Sequence, residues 1–192
     1  MLAAAVFVTA CGGSSPPARQ ATPPYDADYA TLFSDLFRPE LFGIESSKPA
    51  ELDGLLSERA RKAEAVLPIR VITLSREIRG GTRSYSVVVE QTGPGLAGNS
   101  LHAPLALAIP ERSPAFGWLE GAGTAWVGTH VLLMFRTFQD GPHFFGTSDT
   151  PAVRAAIAEA LRNAPVPAAP KPRNASALRR GEGHGLRTNQ SG

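Results

Sequence analysis

Four histidines, His102, His130, His143 and His184, are the side chains best suited to acid–base or metal chemistry near neutral pH. A zinc site needs three or four ligands at short spacings such as H-x-x-x-H or C-x-x-C, and the chain contains neither. His130 and His143 flank a turn at Asp140, which predicts neighbouring strands and two strand-face imidazoles, hydrogen-bonded or solvated. Ser113, Ser148, His130, His143, Asp140 and Asp149 supply the residue types of a Ser-His-Asp hydrolase. The G-x-S-x-G elbow is missing, and almost any chain of this length holds such a set. Glu111 and Glu120 flank Trp118, a pattern suited to a sugar-binding loop. The plainer reading folds Trp118 onto the core. Gly93-Pro94-Gly95 and Gly121-Ala122-Gly123 lack the G-x-G-x-x-G spacing of a nucleotide cradle. No catalytic, cofactor-binding or metal-ligating residue is expected, and no cofactor.

One reactive side chain remains, the single cysteine, in MLAAAVFVTACGGSSPP. Leu2 to Val8 is apolar but far short of the roughly 20 residues that span a bilayer, and it reads as the core of a secretory signal. Val8-Thr9-Ala10-Cys11 then resembles the lipobox of bacterial lipoproteins: an aliphatic residue, two small ones, and the cysteine that is modified. The chain departs from that pattern mildly, with Val8 where Leu is preferred and Thr9 in place of Ser or Ala. The resemblance implies cleavage before Cys11, a diacylglyceryl thioether on its sulfur and a further acyl chain, such as palmitate, on the freed amine. Stable anchoring takes two membrane signals, and three chains exceed that. Gly12, rather than Asp, follows the cysteine, which by the family's sorting rule points to the outer membrane of a Gram-negative bacterium. No Lys or Arg precedes the apolar run, whereas secretory signals carry a positive n-region, so the start codon is expected upstream. One cysteine allows no internal disulfide. Cys11 is thus an attachment point, not a nucleophile.

The elements behind these residues follow from periodicity. Tyr25, Tyr29, Phe33 and Phe37 recur every four residues and predict a helix from near Pro24–Asp26 that stops before Pro39. Its Asp26, Asp28 and Asp35 suit a helix on the core better than one on a membrane, where Lys and Arg are favoured. Leu52, Leu55, Leu56, Ala60, Ala63 and Val66 mark a second helix to about residue 65, with Asp53 as a candidate cap and Glu58, Arg59, Arg61 and Lys62 on its outer side. Period two then takes over. Ile69–Leu74 and Tyr85–Val89 form a hairpin around Gly80-Gly81. Leu101–Ile109 is a third strand, placed at an edge by Pro104. A short helical turn at Phe116–Leu119 comes next. Trp126–Phe138 is a fourth strand, and His143–Phe145 begins the fifth after Asp140-Gly141. Thr150-Pro151 opens a last helix that buries Val153, Ile157 and Leu161.

The organisation is therefore a cleaved signal (1–10), a Gly/Ser/Pro tether (11–24), one domain (25–162) and a Pro/Ala- then Arg-rich tail (163–192). The class is α+β: a small antiparallel sheet or an OB-like five-stranded barrel, with two helices before it and one after. The rhythm of residues 66–138 is similar to that of exported bacterial β-domains, which implies no function. The formal charge is +2. The tail holds Lys171, Arg173, Arg179, Arg180 and Arg187 against Glu182, so the basic balance belongs to the tail and not to the domain. Nucleic acid is not an expected partner. The expected protein is a lipid-anchored envelope protein, held to the membrane through Cys11 and partnered by an envelope protein or glycan. It acts as a non-catalytic binding or structural module; the alternative is an envelope hydrolase of cell-wall or glycan material.

Overall fold

A computed structural model describes residues 22–163. Cys11, the signal, most of the tether and nearly all of the tail lie outside the described residues. The α+β class is borne out: among the described residues, four helices accompany a six-stranded mixed sheet, curled into a half-barrel, in the order β1 (Leu36–Phe37), β6 (Gly141–Thr147), β5 (His130–Phe138), β2 (Ala65–Arg79), β3 (Thr82–Gln91), β4 (Leu105–Pro110). The sheet falls between the two forms expected, more curled than a flat sheet yet open at β1 and β4.

The first helix, α1 (Ala27–Leu32), is shorter than its aromatic rhythm predicts. Asp26 caps it by accepting from Tyr29 N. Phe33 ends it, and Leu36–Phe37 form β1, parallel to β6 (Gly141–Thr147). The helix stops because Asp35 adopts φ +52° and binds main-chain groups of β6, which draws the chain into the sheet. Helix α2 (Leu56–Lys62) follows a 3-10 turn at Ala50–Leu52, and Asp53 accepts from Leu55 N ahead of it. The expected outer side of α2 needs one correction: Arg59 is buried. It stands three residues after Leu56, on the same helix face, where its guanidinium meets carbonyls at the end of α1.

The strand β2 (Ala65–Arg79) is far longer than expected and contains Pro68. Pro68 is tolerated because β3 (Thr82–Gln91) begins pairing only at Ile69–Gln91. The turn is as expected, with Gly80 at φ +56° and Gly81 at φ +81°, the two positive values that a type I′ turn demands. β4 (Leu105–Pro110) is the expected edge strand, and it starts only after Pro104. Helix α3 (Pro114–Ala122), capped by Ser113, replaces the expected single turn. Trp126 lies in a 3-10 turn rather than in a strand, and β5 runs only over His130–Phe138. Helix α4 (Pro151–Arg162) opens as expected on Thr150, whose side chain accepts from Val153 N. Val153 and Ile157 are buried on it, and Ala160 takes the place expected of Leu161.

Alternation along the strands creates two cores. Leu67, Ile69, Val87, Val89, Leu107, Ile109, Leu133 and Phe144 fill the inside of the curl, which α3 and Trp126 close. Val66, Leu132, Met134, Phe138 and Phe145 point the other way and are covered by α1, α2 and α4. His143 shares that second face, two residues before Phe145.

Candidate functional site

His143 is the third residue of β6, and the structure gives each of its ring nitrogens a carboxylate. Nδ1 lies 2.7 Å from Asp35 Oδ2, and Nε2 lies 3.1 Å from Asp140 Oδ2. Asp140 comes from the β5–β6 turn and is exposed. Asp35 comes from the stretch between α1 and β1 and is nearly buried. Its left-handed backbone suits Asp, whose short side chain can bond locally. Asp35 N donates to Phe144 O (3.0 Å), and Phe144 N donates back to Asp35 Oδ1 (3.3 Å). Ser113 Oγ donates to Asp35 O at 3.0 Å. Four polar contacts thus fix this one residue.

An aromatic cover completes the site. The Tyr25 ring lies flat on the His143 imidazole, with centroids 3.5 Å apart and planes 2° apart. Phe138 meets Tyr25 edge-on at 5.1 Å. The Tyr25 hydroxyl donates to Phe33 O. The chain just before Tyr25 is strapped down as well: Gln139 N donates to Pro23 O, and its side-chain amide donates to Thr22 O, both at 3.2 Å.

Electrostatics follow from this burial. Burial pushes the Asp35 carboxyl up, and the nearby His143 and the Phe144 N–H only partly offset it. The Tyr25 phenol is pushed up to about 12, by burial first and then by the Asp35 and Asp140 charges. The hydrogen bond from His143 holds Asp140 below the ordinary carboxylate range. An ionised carboxylate only accepts, so both His143 contacts are satisfied together only when both ring nitrogens carry hydrogen. A carboxylate behind Nδ1 with Nε2 outward is how a general base is oriented. Here, however, Asp140 occupies Nε2 and Tyr25 covers a ring face.

The other candidate residues are dispersed. His130 begins β5 opposite Arg70, whereas His143 lies opposite Arg136. Six residues of strand separate the two positions, roughly 20 Å. His102 is exposed before β4, and His184 lies outside the described residues. Ser113 spends its hydroxyl on α3 and Asp35. Asp149 pairs with Arg154, Glu111 with Arg83, and Glu120 with Arg76 at 3.6 Å. Trp118 packs on Phe42 with centroids 5.7 Å apart, as its plainer reading expects. Sequence reasoning did not single out Asp35 or Tyr25 as site residues. Ser34-Asp35, a turn-forming pair inside an aromatic helix pattern, was the available signal.

A separate cleft of about 420 Å³ opens between α1 and α2, with Asp26, Asp28, Tyr29, Glu58 and Lys62 among its lining. None of the histidines or serines considered above lines it.

Asp35→Ala should lower stability by about 2–4 kcal/mol, since it leaves Phe144 N–H unpaired and places Ala at positive φ. Asp35→Asn should cost less, because Asn tolerates that backbone and keeps an acceptor for Phe144. Urea denaturation over pH 4–7 checks both. A buried acid with a raised folded-state pKa supports the fold below its unfolded value, about 4, and loses that support as pH rises through the folded value. The stability of the native chain relative to the Asn variant should therefore fall with rising pH across that window.

Compared with known protein families, characterised proteins and solved structures, the chain matches none.

Proposed function

We propose that this protein is held to the cell envelope, in the outer membrane, by acyl chains on Cys11, and that its folded domain serves there as a binding or structural module for an envelope protein or glycan. The observation that carries the anchor is Val8-Thr9-Ala10-Cys11, set between an apolar run and a Gly/Ser/Pro stretch. The position of the first described residues is consistent with it. Thr22 and Pro23 are strapped to Gln139, so the chain after Cys11 would reach the domain at the β5–β6 turn. No helix among the described residues is long and apolar enough to cross a membrane.

The non-catalytic reading is supported by where the polar atoms go. Ser113, Glu111, Glu120 and Asp149 each have a structural partner, and both ring nitrogens of His143 are occupied. The cleft between α1 and α2, with more acids than bases on its wall, offers a concave surface for a polar partner. The second reading, an envelope hydrolase, rests on one contact, the 2.7 Å approach of Asp35 to His143. It requires that hydrolysis of envelope glycan be lost in His143→Gln.

The anchor is tested by Cys11→Ser in the full-length gene with its native upstream sequence. The native chain should partition with membranes and carry the acyl mass. The variant should move to the soluble fraction or stay unprocessed, without that mass. An unmodified Cys11 thiol in the native chain, seen by mass spectrometry, overturns the proposal.

A further inference from the structure

We propose that Tyr25, Asp35, Asp140 and His143 form a proton-operated latch, which clamps the segment before α1 onto the β5–β6 turn and loosens as the medium becomes alkaline. The geometry sets the sign. With both ring nitrogens carrying hydrogen, the imidazolium bridges a buried carboxylate and an exposed one. When one proton leaves, only one contact retains a donor. Asp35 keeps it, because a carboxylate removed from water loses most when unpaired. Asp140 reaches solvent and is released. The ring beneath Tyr25 then changes from a cation to a neutral heterocycle, which weakens its attraction for the phenol face.

The groups facing the imidazole agree on that direction. Tyr25 remains a phenol until about pH 12, so it keeps its bond to Phe33 O and does not compete. Two cations lie nearby. Arg136 faces His143 across β5–β6, with its guanidinium over the Tyr29 ring at 5.1 Å and one nitrogen on Lys62 O. Arg112 acts on Tyr25 through its charge. Neither guanidinium is deprotonated in a protein, so both keep their charge in the open and the closed state.

Opening has a mechanical meaning that rests on the anchor reading. Freeing residues 22–26 lengthens the free chain ahead of α1 by up to about 17 Å. The latch would then set how far the domain stands from its attachment.

Hydrogen exchange of the full chain at pH 5.5 and pH 8.0, corrected for intrinsic amide chemistry, tests the latch. Amides of residues 22–33 should exchange at least about tenfold faster at pH 8.0, while those of 65–91 keep their protection. His143→Gln should exchange fast in 22–33 at both pH values. Asp140→Asn, an exposed change that keeps the fold, should reduce the pH response. Equal corrected exchange in 22–33 at the two pH values overturns the proposal. So does a parallel change in 65–91, or a native pH response in Asp140→Asn. The measurement does not involve the acyl group, so an unmodified Cys11 would remove the anchor and leave the latch standing.

Discussion

Gly98→Ala should cost more than about 4 kcal/mol, a large part of the 5–15 kcal/mol that holds a domain of this size folded. Gly98 sits at φ +76° in the loop between β3 and β4. A Cβ there would lie 2.1 Å from Glu64 O and 2.7 Å from Ala65 Cα, which are main-chain atoms with no rotamer to change. The loop cannot retreat cheaply. Val66 N donates to Ala97 O (3.0 Å) and Leu96 N to Val66 O (2.8 Å), so residues 96–97 stand in for β3 beside the start of β2. Moving them would unpair buried Val66, whose side chain packs beneath α2 and α4. Thermal unfolding should drop far enough that the variant is largely unfolded or insoluble at 37 °C. Gly54→Ala, where a new Cβ meets nothing within 4 Å, is the matched control and should be close to neutral.

The second large effect is Arg59→Met, expected at about 3–5 kcal/mol. Arg59 joins the two N-terminal helices through buried polar contacts. Nε donates to Leu32 O at 2.8 Å, and Nη1 bonds Asp53 Oδ2 at 2.7 Å. The guanidinium also stacks on Phe145, 3.7 Å from the ring centroid. Leu32 O belongs to the last turn of α1, where carbonyls lack helical partners. Met would keep the stem's packing and strand both Leu32 O and part of the Asp53 charge. Burial works against that charge, but the Leu55 N–H, Arg59 and Arg38 outweigh it and hold the carboxyl below its ordinary range. A depressed acid contributes stability above its unfolded value, about 4, and loses it as pH falls through the folded value. The native chain should therefore weaken toward acid, and Arg59→Met should flatten that limb. Urea denaturation at pH 7 and pH 3 measures both effects.

Much of the fold was legible because local chemistry dictates it. Gly80-Gly81 between alternating strands required a hairpin, and Thr150-Pro151 required a helix start; both stand where the sequence puts them. Pro104 signalled the edge strand β4. Boundaries failed where a distant partner outbid the local pattern. Tyr25, Tyr29, Phe33 and Phe37 keep helical spacing, yet Phe37 is a strand residue, because Asp35 bonds Phe144 more than a hundred residues away. The second helix is expected to run to about residue 65, yet Ala65 already opens a strand that continues through Pro68, because β5 pairs along residues 65–70. Trp126 reads as strand and turns inward in a 3-10 segment to close the curl.

The candidate site divides in the same way. The lipobox-like run around Cys11, the poverty of metal and nucleotide motifs, and the placing of His143 beside Asp140 at a hairpin turn can all be read along the chain, since each depends on neighbouring residues. The position of His143 between two carboxylates beneath Tyr25, and the burial of Arg59 as a link rather than a solvated charge, emerge only once the elements pack. Those contacts join residues brought together by strand order and helix packing, and the free energy that selects them is burial with its polar atoms paired, which no spacing along the chain records.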